Sequence, residues 1–300
     1  MATIDSGIEM TIAPVTHDLG AFKVNRSLPN KQRTMVGPFI FVDEFGPARL
    51  PAGQGMDVRP HPHINLATVT YLFEGAIEHR DSIGSHQVIE PGAINLMTAG
   101  SGIVHSERSP MSVRAEGPSH YGMQTWLALP DGKEELDPAF DHVPAGGLPL
   151  VEANGASARV LMGTLWGVTA ETPQHSPTIY ADILLDGGSI PVDADADERA
   201  VMLVGGEAEL DGAPLEPFAL YVLRPGHGAQ LSSSGKARLM LMGGAAFATP
   251  RHVFWNFVSS SRDRINQAKA DWKAQRFPTI PGDDKEFIPL PEVPLTVSYP

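Results

Sequence analysis

Apolar and polar positions alternate with a period of two through much of the first half of the chain. Thr68-Val69-Thr70-Tyr71-Leu72-Phe73 interleaves β-branched and aromatic residues until Glu74-Gly75 breaks it. Ile77 to Arg80 resumes the pattern, Gly84-Ser85 turns it, and Gln87-Val88-Ile89 runs up to Pro91-Gly92. Ile94 to Met97 stops at Ala99-Gly100-Ser101-Gly102, and Met123 to Leu129 stops at Pro130-Asp131-Gly132. Strands this short, punctuated this often, predict an all-β barrel or sandwich. From Asp131 to Pro149 the pattern dissolves into Gly, Pro and acidic residues, which predicts a linker. The rhythm then returns. Met202 to Glu207 resembles Tyr71 to Ala76, and Pro225-Gly226-His227-Gly228 resembles Ala99 to Gly102. The chain therefore reads as a duplication with one barrel per half, residues 1–135 and 136–300. One helix is expected at 261–276. Ser260 offers a cap with Asp263 three residues on, Ile265, Ala268 and Trp272 fall at helical spacing, and Pro278 and Pro281 stop it. Its cations Arg264, Lys269, Lys273 and Arg276 are expected on a solvated face.

Composition narrows the function classes. The 30 Gly and 27 Pro favour turns over long helices. With no Cys, disulfides, zinc ribbons, thiolate nucleophiles and Cys-held iron–sulfur clusters are excluded. The 22 basic and 35 acidic residues give a net charge of −13 with no long Lys/Arg cluster, which argues against direct nucleic-acid binding. No apolar run reaches membrane-spanning length, and a cytoplasmic location is the expectation. Asp193-Ala-Asp-Ala-Asp197 has a calcium-like spacing, but Glu198 sits where an EF-hand loop needs Gly, so a solvated loop is expected.

Six of the 11 His fall between residues 61 and 120, in two compact patterns: His61-Pro62-His63 and His105-Ser106-Glu107. Side chains two apart on a strand share a face. An HxH strand and an HxE strand, paired across a barrel, would aim three imidazoles and a carboxylate at one point. That donor set suits a divalent first-row metal and would leave two octahedral positions for substrate or dioxygen. In a His-containing chain of this length, either pattern alone is within reach of chance. Three features favour the pair. His61, His63, Val69, Tyr71 and Phe73 share one parity, so an unbulged strand would turn both His inward. A buried cluster of three His and one Glu is costly unless something coordinates it. In the second repeat, Val192 and Ala194 stand opposite His61 and His63, Leu231 opposite His105 and Ser233 opposite Glu107, as expected of one working site and one retired copy.

Gly55-(five residues)-His61-x-His63 fits the first half of the cupin motif. The run His61 to Gly75, with Met97-Thr-Ala-Gly-Ser-Gly-Ile-Val-His105-Ser-Glu107, resembles the pirin family of two-barrel cupins. Val36 to Phe39, Asp43 to Pro47, Gly122 to Trp126, Pro250 to Asn256 and Phe287 to Pro291 extend the resemblance over nearly the whole chain. It implies tandem jelly-roll barrels with a short C-terminal helix, and a mononuclear iron(II) centre in the first barrel held by His61, His63, His105 and Glu107. Copper, nickel, manganese and zinc suit the same donors. The chain departs from the pattern at Ile64-Asn65-Leu66-Ala67, where many pirins carry Arg-Gly-Phe-Glu, and the general cupin Glu is missing there.

The resemblance further implies quercetin 2,3-dioxygenase-like cleavage of a flavonol or related small aromatic with dioxygen. Glu107 would be both ligand and general base, and Phe45, Gln124 and Trp126 are the expected pocket wall. The competing expectation is a non-enzymatic, iron-dependent regulator acting through a protein partner.

Overall fold

The computed structural model describes residues 7–18, 23–292 and 296–297. Contacts divide the chain into two compact units that interleave along it. Phe45–Ala145 groups with the segment from Ala248 onward, whereas Asn25–Glu44 groups with Gly146–Phe247 and with the N-terminal strand Ile8–Ile12. The expected boundary after residue 135 thus gives way to an exchange of terminal segments. The C-terminal helix belongs with the histidine-bearing unit.

That unit is built on two antiparallel sheets. The smaller has the spatial order Asp57–His63, Ile103–Arg108, Ile77–Asp81, His86–Ile89. The larger runs Ala139–Val143, Ile94–Thr98, Leu66–Gly75, Ser119–Ala128, followed by strand Phe39–Arg49, of which residues 45–49 group here. Pro60 and Pro62 lack ladder donors, and their strand lies at a sheet edge where that loss is tolerated. The chain leaves the small sheet at Asn65, which takes a left-handed conformation (φ 56°). It returns through Gly75 (φ 90°), where a Cβ would lie 1.9 Å from the Ser119 carbonyl oxygen. His63 and Leu66 therefore sit on different strands, and one unbroken parity does not carry from His61 to Phe73. The inward aim of the two His comes instead from pairing within the small sheet.

The expected linker also contains structure. Ala139–Val143 forms the outer strand of the large sheet, in register with Ile94–Thr98. The helix spans Arg262–Lys273, and the cap is Ser261, whose hydroxyl accepts from the Arg264 N–H at 3.3 Å. Ser260 is engaged by Glu134 instead. The helix ends before Gln275, which adopts φ 53°. It buries Ile265, Ala268 and Trp272 against Ile64, Val104, Phe257 and Ile280, backing the outer face of the small sheet. Arg264 is pinned to Glu135 and to the Ser101 carbonyl, and Lys269 lies over the Phe254 ring, so the helix's cations are only partly a free solvated face.

The other unit repeats the plan. Its small sheet has the order Ser189–Val192, Ala229–Ser232, Glu209–Leu210, Ala213–Pro214, and that sheet's buried residues, Ile190, Val192, Leu210, Ala229 and Leu231, belong to an apolar cluster. Register pairs Ile190 with Leu231 and Val192 with Ala229. These match the pairs His61/His105 and His63/Ile103 in the first unit. Ile190, Val192 and Leu231 thus occupy the three histidine positions, two residues earlier than the sequence alignment placed the first pair. Asp193, Asp195 and Asp197 are exposed, as a solvated loop requires. Among the described residues, no helix is long and apolar enough to cross a membrane.

Candidate metal centre

Three adjacent strands of the small sheet supply the centre. His61 lies directly opposite His105 and His63 opposite Ile103, while on its other side the central strand sets His105 opposite Asp81 and Glu107 opposite His79. Directly paired antiparallel residues share a face, so His61, His63, His79, Asp81, His105 and Glu107 all project into the unit. A bulge falls between His105 and Glu107 in the pairing with Asp57–His63. It re-aims this strand at the point where the carboxylate follows the imidazole.

The imidazoles converge. Ring centroids are 4.3 Å apart for His61/His105, 5.0 Å for His63/His105 and 5.1 Å for His61/His63. Each of the three offers a ring nitrogen within 4.8 Å of the others', and all three are buried. Nδ1 of His61 donates to the Arg59 carbonyl at 2.8 Å and Nδ1 of His63 to the Asn256 carbonyl at 3.1 Å, which leaves the Nε2 lone pairs available. Nε2 of His105 is buried with no hydrogen-bond partner. A buried, unpaired ring nitrogen is costly, and a cation held between it and the ring nitrogens of His61 and His63 relieves that cost. Burial holds the His61 imidazole down at about 4, with the charge of His79 adding to the shift. It pushes His63 and His105 well below the ordinary histidine value. Neutral imidazole is the form that ligates metal, so the site's residues fit a divalent ion.

Glu107 stands beside this group without joining it. Its Oε1 accepts from the Thr70 hydroxyl at 3.3 Å, and that hydroxyl also lies 2.9 Å from Oε1 of Gln124. Burial raises the Glu107 carboxyl, opposed by His79 and by the Thr70 hydrogen bond. Trp126 meets His63 edge to face, with centroids 5.1 Å apart. Phe45 falls in the apolar cluster of Val24, Leu50, Met56, Leu72, Ile77 and Ile89. Gln124 and Trp126 are therefore brought to the histidines and Glu107, while Phe45 is placed in packing.

Sequence reading passed over His79, Asp81, Thr70 and Phe140. His79-x-Asp81 carries the same two-residue signal as the ligand motifs and lies among the six clustered His. Phe140, stacked on His79 at 4.4 Å and 22°, was hidden in the apparent linker. A cavity of about 370 Å³, lined by Pro60, Val104, Trp272, Phe277, Ile280 and Phe287, belongs to the sheet's other face, since Val104 alternates with His105.

Known proteins resemble this architecture. Residues 21–127 match the family model described as Pirin, and residues 180–278 match that of the Pirin C-terminal cupin domain. A pirin-like protein of Caulobacter vibrioides is 48% identical over 92% of this chain and 96% of its own. The crystal structure of a quercetin 2,3-dioxygenase from Acinetobacter baumannii superposes with a TM-score of 0.88 at 34% identity, covering 95% of each chain. A bacterial pirin of Escherichia coli, solved in complex with nickel(II), shares the fold at a TM-score of 0.62 and 17% identity over 78% of this chain and 98% of that one.

Proposed function

Because the chain belongs to the pirin family and carries its two cupin units, we propose that it is a metal-dependent dioxygenase that opens the ring of a flavonol or a similar small aromatic. The observation that carries this reading is the inward group of three neutral imidazoles, with Nε2 of His105 buried and unpaired. The likeness to the Acinetobacter baumannii quercetin 2,3-dioxygenase supports this choice of substrate class. His61, His63 and His105 hold one divalent ion, which we assign as iron(II), and Glu107 completes the set by turning from Thr70. When bound, that ion supplies a Lewis-acid contact for the substrate's 3-hydroxyl oxygen and a meeting point for dioxygen.

The protein's own part is positioning and proton transfer. Glu107 accepts the 3-hydroxyl proton. Burial raises its carboxyl above the ordinary glutamate value, which makes the carboxylate a better base than an exposed glutamate. The Thr70 hydroxyl, which it shares with Oε1 of Gln124, steadies it from the opposite sheet and receives its oxygen again after each cycle. Trp126 braces the His63 ring and gives the substrate an aromatic wall. With the imidazoles and Glu107 buried, water is kept from the deprotonated substrate.

The test is aerobic incubation of the iron-reconstituted protein with quercetin, following loss of flavonol absorbance and release of carbon monoxide. Glu107→Gln is expected to lower kcat by roughly 10²- to 10⁴-fold. Wild-type protein with stoichiometric iron and no turnover of any flavonol would sink the enzymatic reading. Glu107→Gln with unchanged turnover would remove Glu107 as the base.

A further inference from the structure

Two of the three imidazoles are held by backbone carbonyls; His105 is held differently. Its Nδ1 lies 3.4 Å from Nδ1 of His79, and Nε2 of His79 lies 3.1 Å from Oδ2 of Asp81. The other Asp81 oxygen accepts the N–H groups of Ile83 at 3.1 Å and Ser85 at 2.8 Å, so the turn after the strand fixes the carboxylate. Phe140 stacks on the His79 ring and fixes its plane. All three groups are almost wholly buried, with exposures of 2% for His79 and 1% for Asp81 and His105.

Hydrogen-bond logic gives this row a single direction when a cation is present. A carboxylate only accepts, so Nε2 of His79 carries a proton. A metal needs the lone pair on Nε2 of His105, which puts that ring's proton on Nδ1. Nδ1 of His79 must then be the acceptor, since a second proton there would set two donors head on. The register supports the geometry: Asp81 sits directly across from His105, and His79 two pairs further along on the same face, opposite Glu107.

We propose that Asp81 and His79 form a buried hydrogen-bonded chain that locks His105 as an Nε2 metal donor, His79 acting as a positioning residue and Asp81 as the anchor. The proposal rests on the three-histidine centre described above. The chain ends in a full negative charge, which the backbone carbonyls behind His61 and His63 lack. Negative charge behind a ligating imidazole raises its donor strength and fixes its orientation, so His105 is the ligand whose strength this protein sets through side chains.

The experiment measures Ni²⁺ affinity by competition titration and the Co²⁺ ligand-field spectrum, on four full-length proteins: wild type, His79→Leu, His79→Asn and Asp81→Asn. Thermal unfolding of each metal-free protein reports folding. His79→Leu removes the acceptor, and its affinity is expected to fall about 10- to 100-fold with an altered cobalt spectrum. Asp81→Asn, nearly the same shape, turns an amide N–H toward His79 and reverses the chain, with a loss of similar size. His79→Asn places an oxygen where Nδ1 was without reaching Asp81, and is expected to recover part of the affinity lost in His79→Leu, which packing alone would not restore. Wild-type affinity and spectrum in both His79→Leu and Asp81→Asn would overturn the chain while leaving the metal centre standing. Equal losses in His79→Asn and His79→Leu would reduce His79 to packing. A wild type that binds neither ion would overturn the three-histidine reading and this proposal with it.

Discussion

Single residues here are tuned by burial more than by neighbouring charge. Glu44 shows it away from the metal centre: it is fully buried, Asn25 donates to its Oε2 at 2.8 Å, and its Oε1 has no partner. Burial pushes its carboxyl up to about 7, with Asp43 adding to the shift and Asn25 opposing it. Between its ordinary value near 4.5 and about 7 the folded state therefore binds a proton that the unfolded chain releases, so this residue's contribution to stability falls as pH rises through that window. The buried His61 works in the opposite sense, its contribution being lost as pH falls from 6.5 to about 4. The clean measurement is thus the difference between wild type and Glu44→Gln. The variant is expected to be more stable above pH 7 by on the order of 3 kcal/mol and equal to wild type below pH 4.5, as read by urea denaturation across pH. A constant difference would show that Glu44 does not titrate in this range. The convergence of His61, His63 and His105 was legible from residue type and spacing. Glu44 was not, since an isolated acid in sequence says nothing of its burial.

At the scale of elements, the site depends on a corner. Strand Asp57–His63 ends, the chain turns at Asn65, and strand Leu66–Gly75 begins in the other sheet. Asn65 holds its left-handed backbone while its amide donates to the Gly100 and Glu134 carbonyls and to Glu135. Asn tolerates this conformation and Ala does not. Asn65→Ala is expected to cost about 3 kcal/mol, from backbone strain and lost hydrogen bonds, and Asn65→Gly less, because only the bonds are lost. Equal stability of the two variants in chemical denaturation would remove backbone strain from the account. This corner coincides with the Ile64 to Ala67 stretch where the chain departs from the common pirin pattern. The strands on either side were readable from their period of two. The corner was not, because period says where strands run and not which sheet receives them. The apparent linker failed for the opposite reason: the strand Ala139–Val143 has partly exposed residues throughout and takes its order from pairing with Ile94–Thr98.

For the whole molecule, the exchange of terminal segments decides what can fold alone. The C-terminal segment supplies the Asn256 carbonyl that orients His63, and Phe257, Ile265, Trp272 and Ile280, which cover Ile64 and Val104. A fragment of residues 1–135 would lack all of these, together with Phe140 against His79. It is expected to show no cooperative thermal transition, to bind a hydrophobic dye and to take up no Ni²⁺. A fragment that melts sharply and binds Ni²⁺ as tightly as the full chain would make the C-terminal segment dispensable to the site.

Local chemistry was enough to specify the strands with a clear period of two, the duplicated plan and three converging histidines. Strand period, turn residues and two-residue spacing are properties of neighbours along the chain, and each survives without knowledge of the fold. Which sheet each strand joins, which unit each terminus completes, and what stands behind His105 are set by contacts between distant segments. Burial and hydrogen-bond partnership arise only when those segments meet, so the Asp81–His79–His105 row, the orphaned Glu44 oxygen and the exchanged ends became visible only in three dimensions.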